Sequence, residues 1–117
     1  MQQQQEIPTK FLCVCQYGHS RSVCLTRSLH HRNLKAVAAG WQTSGGALEV
    51  LCEWADRVLI LDSSYLEKIP TKFHGKVMDF HVGPDKWVNP YNSELREILD
   101  RMVESKLAEA VRFHGAT

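Results

Sequence analysis

The chain has 117 residues, 44% of them hydrophobic and 23% charged, with 14 basic against 13 acidic side chains and a net charge of +1. This is the size of one domain with a core of its own, and the near-neutral balance argues against nucleic acid or an anionic membrane surface as a partner. No apolar run approaches the roughly 18 residues of a membrane span. The opening Met1-Gln2-Gln3-Gln4-Gln5-Glu6 has neither the basic nor the apolar region of a secretory signal. Four cysteines, at 13, 15, 24 and 52, do not form a disulfide framework in such a chain. A reducing, cytoplasmic setting is expected.

Residues 1–9 read as a flexible N-terminal tail, and 10–117 as a single domain. Lys10 to Cys15 is a near-continuous apolar run, as in a strand buried on both faces of a parallel sheet. Arg21 to His31 suits a helix, with apolar residues at 23, 25 and 29. Lys35 to Ala39 is a second strand, ended by Gly40. Ala47 to Asp56 carries a helical stripe. Arg57 to Leu61, with Val58-Leu59-Ile60-Leu61, is the clearest strand. Ser64 to Ile69 reads as a short helix stopped by Pro70. Lys76 to Val82 is a fourth strand, broken by Gly83-Pro84. After a loop over 85–92, Ser93 is read as the cap of a long helix reaching about His114, with apolar residues at 95, 98, 99, 102, 103, 107, 110 and 111. Strands alternating with helices predict an α/β fold, a four-stranded parallel sheet flanked by helices on both faces. Ligands of such sheets bind beyond the carboxyl ends of the strands. Cys15 and the 85–92 loop are therefore expected on one rim.

Cys15-Gln16-Tyr17-Gly18-His19-Ser20-Arg21-Ser22 lies between the first strand and the first helix. It is a cysteine, five residues, an arginine and a hydroxyl residue. Successive backbone N–H groups of residues 16–22 can turn inward as an anion nest, reinforced by the positive end of the helix. Gly18 allows a positive φ cheaply. Arg21 brings a planar fork that matches two phosphate oxygens. The same positive field favours a thiolate at Cys15, and Ser22 is placed to donate a hydrogen bond to its sulfur. The pattern points to phosphate-ester chemistry through a covalent cysteine intermediate.

An ester leaving group needs a proton as its bond to phosphorus breaks. Asp85 is the candidate acid, just past a strand end and close to Trp87 and Tyr91, whose rings are candidates to line a slot for a flat substrate. The same carboxylate is suited to activate the water that hydrolyses phosphocysteine.

These motifs resemble the low-molecular-weight protein tyrosine phosphatase family, most closely its short bacterial and phage-type members. The resemblance covers Cys15 to Ser22, Ala39-Gly40, and Ala55-Asp56-Arg57-Val58-Leu59-Ile60-Leu61-Asp62, and in weak form most of the chain from Lys10 onward. It implies a cysteine-dependent, metal-independent phosphomonoesterase with Cys15 as nucleophile, Arg21 as phosphate ligand and Ser22 as support of the thiolate. It further implies no cofactor, a phosphotyrosine protein or small aryl phosphate as substrate, and inhibition by phosphate-like oxyanions. The chain departs from the family in three respects. Tyr17 and Gly18 stand where glycine and asparagine are common. Ser20 replaces a frequent second cysteine, so the protective disulfide is not expected. The family's acid lies in an Asp-Pro motif, and the nearest literal match here is Asn89-Pro90-Tyr91. Asparagine donates no catalytic proton, so Asp85, after Pro84, is the other alignable residue, and Asn89 joins Trp87 and Tyr91 as a pocket candidate.

Other readings remain open. A non-catalytic oxyanion or phosphoprotein-binding module would keep Cys15 and Arg21 without a usable acid, and Asn89 is its best support. A thiol-dependent arsenate reductase would need relay cysteines, and only Cys24 and Cys52 are available. A phosphocysteine carrier would not need Arg21. Cys13, Cys15 and Cys24 lack the paired spacing of a zinc site, and Cys13 reads as core.

Overall fold

A computed structural model describes residues 7–17, 20–42, 46–82 and 89–114. The elements in chain order are β1 (Lys10–Cys15), α1 (Arg21–His30), β2 (Lys35–Gly40), α2 (Ala47–Trp54), β3 (Arg57–Ile60), two 3-10 turns (Ser63–Lys68 and Thr71–Lys76), β4 (Val77–Asp79), α3 (Ser93–Lys106) and α4 (Ala108–His114). All strand pairs are parallel, in the order β2-β1-β3-β4. The expected four-stranded α/β sheet is therefore present, with helices on both faces.

The alternation of β1 builds both layers at once, because successive side chains point to opposite faces. Phe11, Cys13 and Cys15 pack with Leu25 and Leu29 of α1, Leu95, Leu99 and Val103 of α3, and Leu107 and Ala110 beyond it. Leu12 and Val14 pack with Leu48 and Cys52 of α2, Val58 and Ile60 of β3, and Ile69 and Phe73 of the 3-10 turns. Among the described residues no helix is long and apolar enough to cross a membrane.

Several boundaries differ from the sequence expectation. The segment read as a helix over 64–69 is 3-10, and a second 3-10 turn follows at Thr71–Lys76. Asn92, not Ser93, caps α3: its side chain accepts from Leu95 N at 3.0 Å. The long C-terminal helix is broken at Leu107, which is buried and leaves helical geometry at φ −119°, ψ 29°. The last strand is only Val77–Asp79, and His81 just beyond it has φ 46°.

The chain leaves β1 to pair β2 on one side and then returns to pair β3 on the other. The carboxyl end of β1 is thus the point where strand order reverses, where a crevice forms in open α/β sheets. Cys15 is its last residue.

Candidate active site

β1 delivers Cys15 to the rim facing α1, where it is 2% exposed. Its Sγ lies 3.0 Å from the hydroxyl of Ser22, in the first turn of α1. Ser22 is itself fully buried, so this contact is shielded from solvent. The loop between them is fastened to the end of β2. Cys15 is registered with Gly40, Trp41 N donates to Cys15 O at 3.0 Å, and Gln42 N donates to Gln16 O at 3.0 Å. The two glutamine side chains add a bond, Gln16 Nε2 to Gln42 Oε1 at 2.8 Å. A Cβ on Gly40 would stand 2.3 Å from the carbonyl carbon of Tyr17. Only a glycine lets the strand end and the loop backbone come this close. The Tyr17 side chain is largely exposed.

Ser20 occupies the N-cap position of α1 and is buried, although its side chain makes no capping bond. Arg21 follows and is 1% exposed. Its Nη2 donates to the hydroxyl of Tyr65 at 2.6 Å, and its guanidinium carbon lies 5.6 Å from the centre of that ring. Tyr65 also meets Trp41, centroid to centroid at 5.9 Å with the planes tilted by 60°. Lys68 Nζ stands 4.6 Å from the Trp41 ring centre. Asp62, after β3, accepts from the backbone N–H and hydroxyl of Ser64. Mainly that backbone bond holds its carboxyl below the usual range, with the positive charge of Arg21 acting in the same direction.

The other cysteines are placed differently. Burial pushes the Cys13 thiol up to about 12 and the Cys24 thiol up to about 11. Cys52 is raised by the same cause. None of the four cysteines is in a disulfide among the described residues.

Cys15, Gln16, Tyr17, Ser20, Arg21 and Ser22 are thus brought together on one strand–loop–helix turn. Gly18, His19, Asp85 and Trp87 lie outside the described residues. Asn89 and Tyr91 are described. Asn89 Oδ1 accepts from Tyr91 N at 2.9 Å, a turn that leads into α3. The Tyr91 ring lies under the guanidinium of Arg27 at 4.6 Å. Sequence reasoning missed Tyr65 and Trp41. Tyr65 is 44 residues from Arg21 in sequence, and nothing in a Ser-Ser-Tyr-Leu turn marks such a contact. Trp41 carried a usable signal, since it directly follows the Ala39-Gly40 that ends β2.

No family model and no curated protein matches the chain. Solved structures do. Wzb of Vibrio vulnificus, in complex with benzylphosphonate, aligns with 87% of this chain and 99% of its own at a TM-score of 0.66 and 18% identity. The tyrosine phosphatase AmsI of Erwinia amylovora aligns over 98% of this chain and 99% of its own, at 0.67 and 15%. The YwlE arginine phosphatase of Geobacillus stearothermophilus aligns over 94% and 100%, at 0.62 and 16%. At these identities the likeness is one of fold: the chain has the parallel α/β fold of the low-molecular-weight tyrosine phosphatases.

Proposed function

We propose that the chain is a cysteine-dependent phosphomonoesterase acting on aryl phosphates, phosphotyrosine among them, through a phosphocysteine intermediate. The observation that carries this reading is the 3.0 Å contact of Cys15 Sγ with Ser22 Oγ beside the buried fork of Arg21. The solved relatives named as phosphatases support it. So does the Wzb complex with benzylphosphonate, an aryl-bearing phosphonate. Tyr65, against Arg21, and Trp41, against Tyr65, supply surface for a flat ring.

In the first step the Cys15 thiolate attacks phosphorus as the bond to the ester oxygen breaks. Arg21 and the loop N–H groups hold the equatorial oxygens. Asp85 gives its proton to the departing aryl oxide. In the second step water attacks phosphocysteine, its proton passes to Asp85, and the P–S bond breaks to return the thiolate. Ser22 donates to sulfur at both ends of the cycle. Phosphate leaves, and phosphate-like oxyanions compete for the same loop.

Hydrolysis of p-nitrophenyl phosphate and phenyl phosphate by wild type, Cys15→Ser and Asp85→Asn tests the reading. Wild type turns both over. Cys15→Ser loses at least about a thousandfold in kcat while still binding vanadate. Asp85→Asn slows phenyl phosphate, the poorer leaving group, more than the nitrophenyl ester. Near-normal turnover by Cys15→Ser would refute the mechanism. Equal slowing of the two esters would remove Asp85 as the acid. Saturable vanadate binding by a wild-type chain with no turnover would establish the binding-module reading instead.

A further inference from the structure

A cleft of about 90 Å³ lies between α1 and the residues that lead into α3, lined by Cys24, Arg27, Ser28, His31, Tyr91 and Arg96 among others. Its charge is one-sided. Asp100 is the nearby acid, and it is already engaged: it accepts from Ser28 Oγ at 2.5 Å and from Arg32 Nη1 at 3.2 Å. Arg96 Nε reaches it only at 3.7 Å. Arg27 has no carboxylate partner among the described residues and rests on the Tyr91 ring. A guanidinium stacked on a ring keeps its N–H edges for another acceptor. Arg96 stands in the first turn of α3, where a cation works against the helix dipole and an anion is favoured. What the helix gains from an arginine there is its i,i+4 pairing with Asp100, set against the dipole and in the less favourable orientation. Cys24, on the wall, adds no negative charge near neutral pH, since burial pushes its thiol up to about 11.

We infer that this cleft is an accessory anion site that takes an acidic side chain of a substrate peptide, a carboxylate or a second phosphate. The inference rests on the phosphomonoesterase reading and names the substrate class. α1 joins the two sites. Arg21 and Arg27 lie six residues apart on it, a rise of about 9 Å at 1.5 Å per residue. Six residues also turn about 240° around the axis, so an extended peptide needs at least about three residues to cover the separation. The preferred substrate thus carries an acidic residue about three positions from the phosphorylated one.

The test uses the full chain and three phosphotyrosyl peptides that differ only at the third position on either side of the phosphotyrosine: Glu, Gln or Lys. The Glu peptide exceeds the Lys peptide in kcat/KM by about fivefold at low salt, mainly through KM, and 0.5 M NaCl erases the difference. Arg27→Gln with Arg96→Gln brings the ratio to about 1, and Arg27→Glu inverts it. Both arginines are exposed, so the folded chain tolerates these changes. Equal kcat/KM on the three peptides by wild type would overturn the inference. So would an unchanged preference in Arg27→Glu, which would place the selectivity elsewhere. Failure to hydrolyse even p-nitrophenyl phosphate would sink the parent reading alone. Polarisation binding of the same peptides, labelled with fluorescein, then decides the cleft: tighter binding of the Glu peptide, lost in Arg27→Glu, sustains it, and equal binding refutes it.

Discussion

The two rims of the sheet hold their polar groups differently. On the amino rim Asp56 and Lys76 are held mainly by backbone groups. Asp56 accepts from Thr9 N at 2.9 Å, Lys10 N at 3.1 Å and Thr9 Oγ1 at 3.2 Å. Lys76 Nζ donates to the carbonyls of Ala55 at 2.7 Å and Cys52 at 2.8 Å, where α2 ends. These are groups that strand starts and helix ends leave without partners. On the carboxyl rim the buried Arg21 meets the Tyr65 hydroxyl, and Cys15 meets that of Ser22. A hydroxyl partner fixes the direction of each group. The amino rim commits Asp56 and Lys76 to backbone groups to fix the fold, whereas on the carboxyl rim side-chain hydroxyls orient the two groups to which the proposed function assigns the chemistry.

The largest effect that would break this comparison is at Arg21. Arg21→Lys keeps the charge and loses the planar fork, so kcat/KM for p-nitrophenyl phosphate falls by about a hundredfold. A loss below about threefold would mean that charge alone matters there. Next is Asp56→Ala, which strands two backbone donors and costs about 2 kcal/mol. The melting temperature drops by about 8 °C with kcat unaltered.

Acid sharpens that second prediction. Burial pushes the Asp56 carboxyl up, but the hydrogen bonds from Thr9 and Lys10 outweigh it and leave the group below its ordinary value. Its stabilising contribution is therefore complete above the ordinary carboxylate range and is lost as pH falls through the lowered folded value. Melts from pH 7 down to about 2.5 show the gap between wild type and Asp56→Ala closing in acid. A gap that stays constant would assign the loss to packing. The smallest effect is at Tyr65. Tyr65→Phe keeps the ring and removes one hydrogen bond, lowering kcat/KM by about fivefold without moving the melting temperature by more than about 2 °C. A large thermal loss with unchanged kcat/KM would put Tyr65 on the fold side of the comparison.

Much of this contrast was legible in the chain. The apolar run of Phe11 to Val14 sets β1, and the Cys15–Ser22 pattern marks the turn after it, because both signals are local. In sequence Gly40 marks only a strand end, whereas its structural meaning is the close approach of Tyr17, a contact across two strands. Tyr65 was invisible for a related reason: its partner is made adjacent only by the sheet order. The break at Leu107 has no glycine or proline to announce it, and the apolar stripe runs through it from Leu95 to Val111 unbroken. Asn92 and Ser93 are both good caps, so periodicity alone cannot choose between them.

Cys15 shares its buried cluster with Leu95, Leu99 and Val103 of α3. The chemical signature is complete at Ser22, yet the floor beneath it is contributed by the last quarter of the chain. During synthesis at 5–20 residues per second, the signature precedes Leu95 by roughly 4–15 s. For that interval the nascent chain carries every group of the motif on a half-built core. The proposed oxyanion site thus becomes functional only near completion of the polypeptide, which would make ligand binding a readout of finished folding.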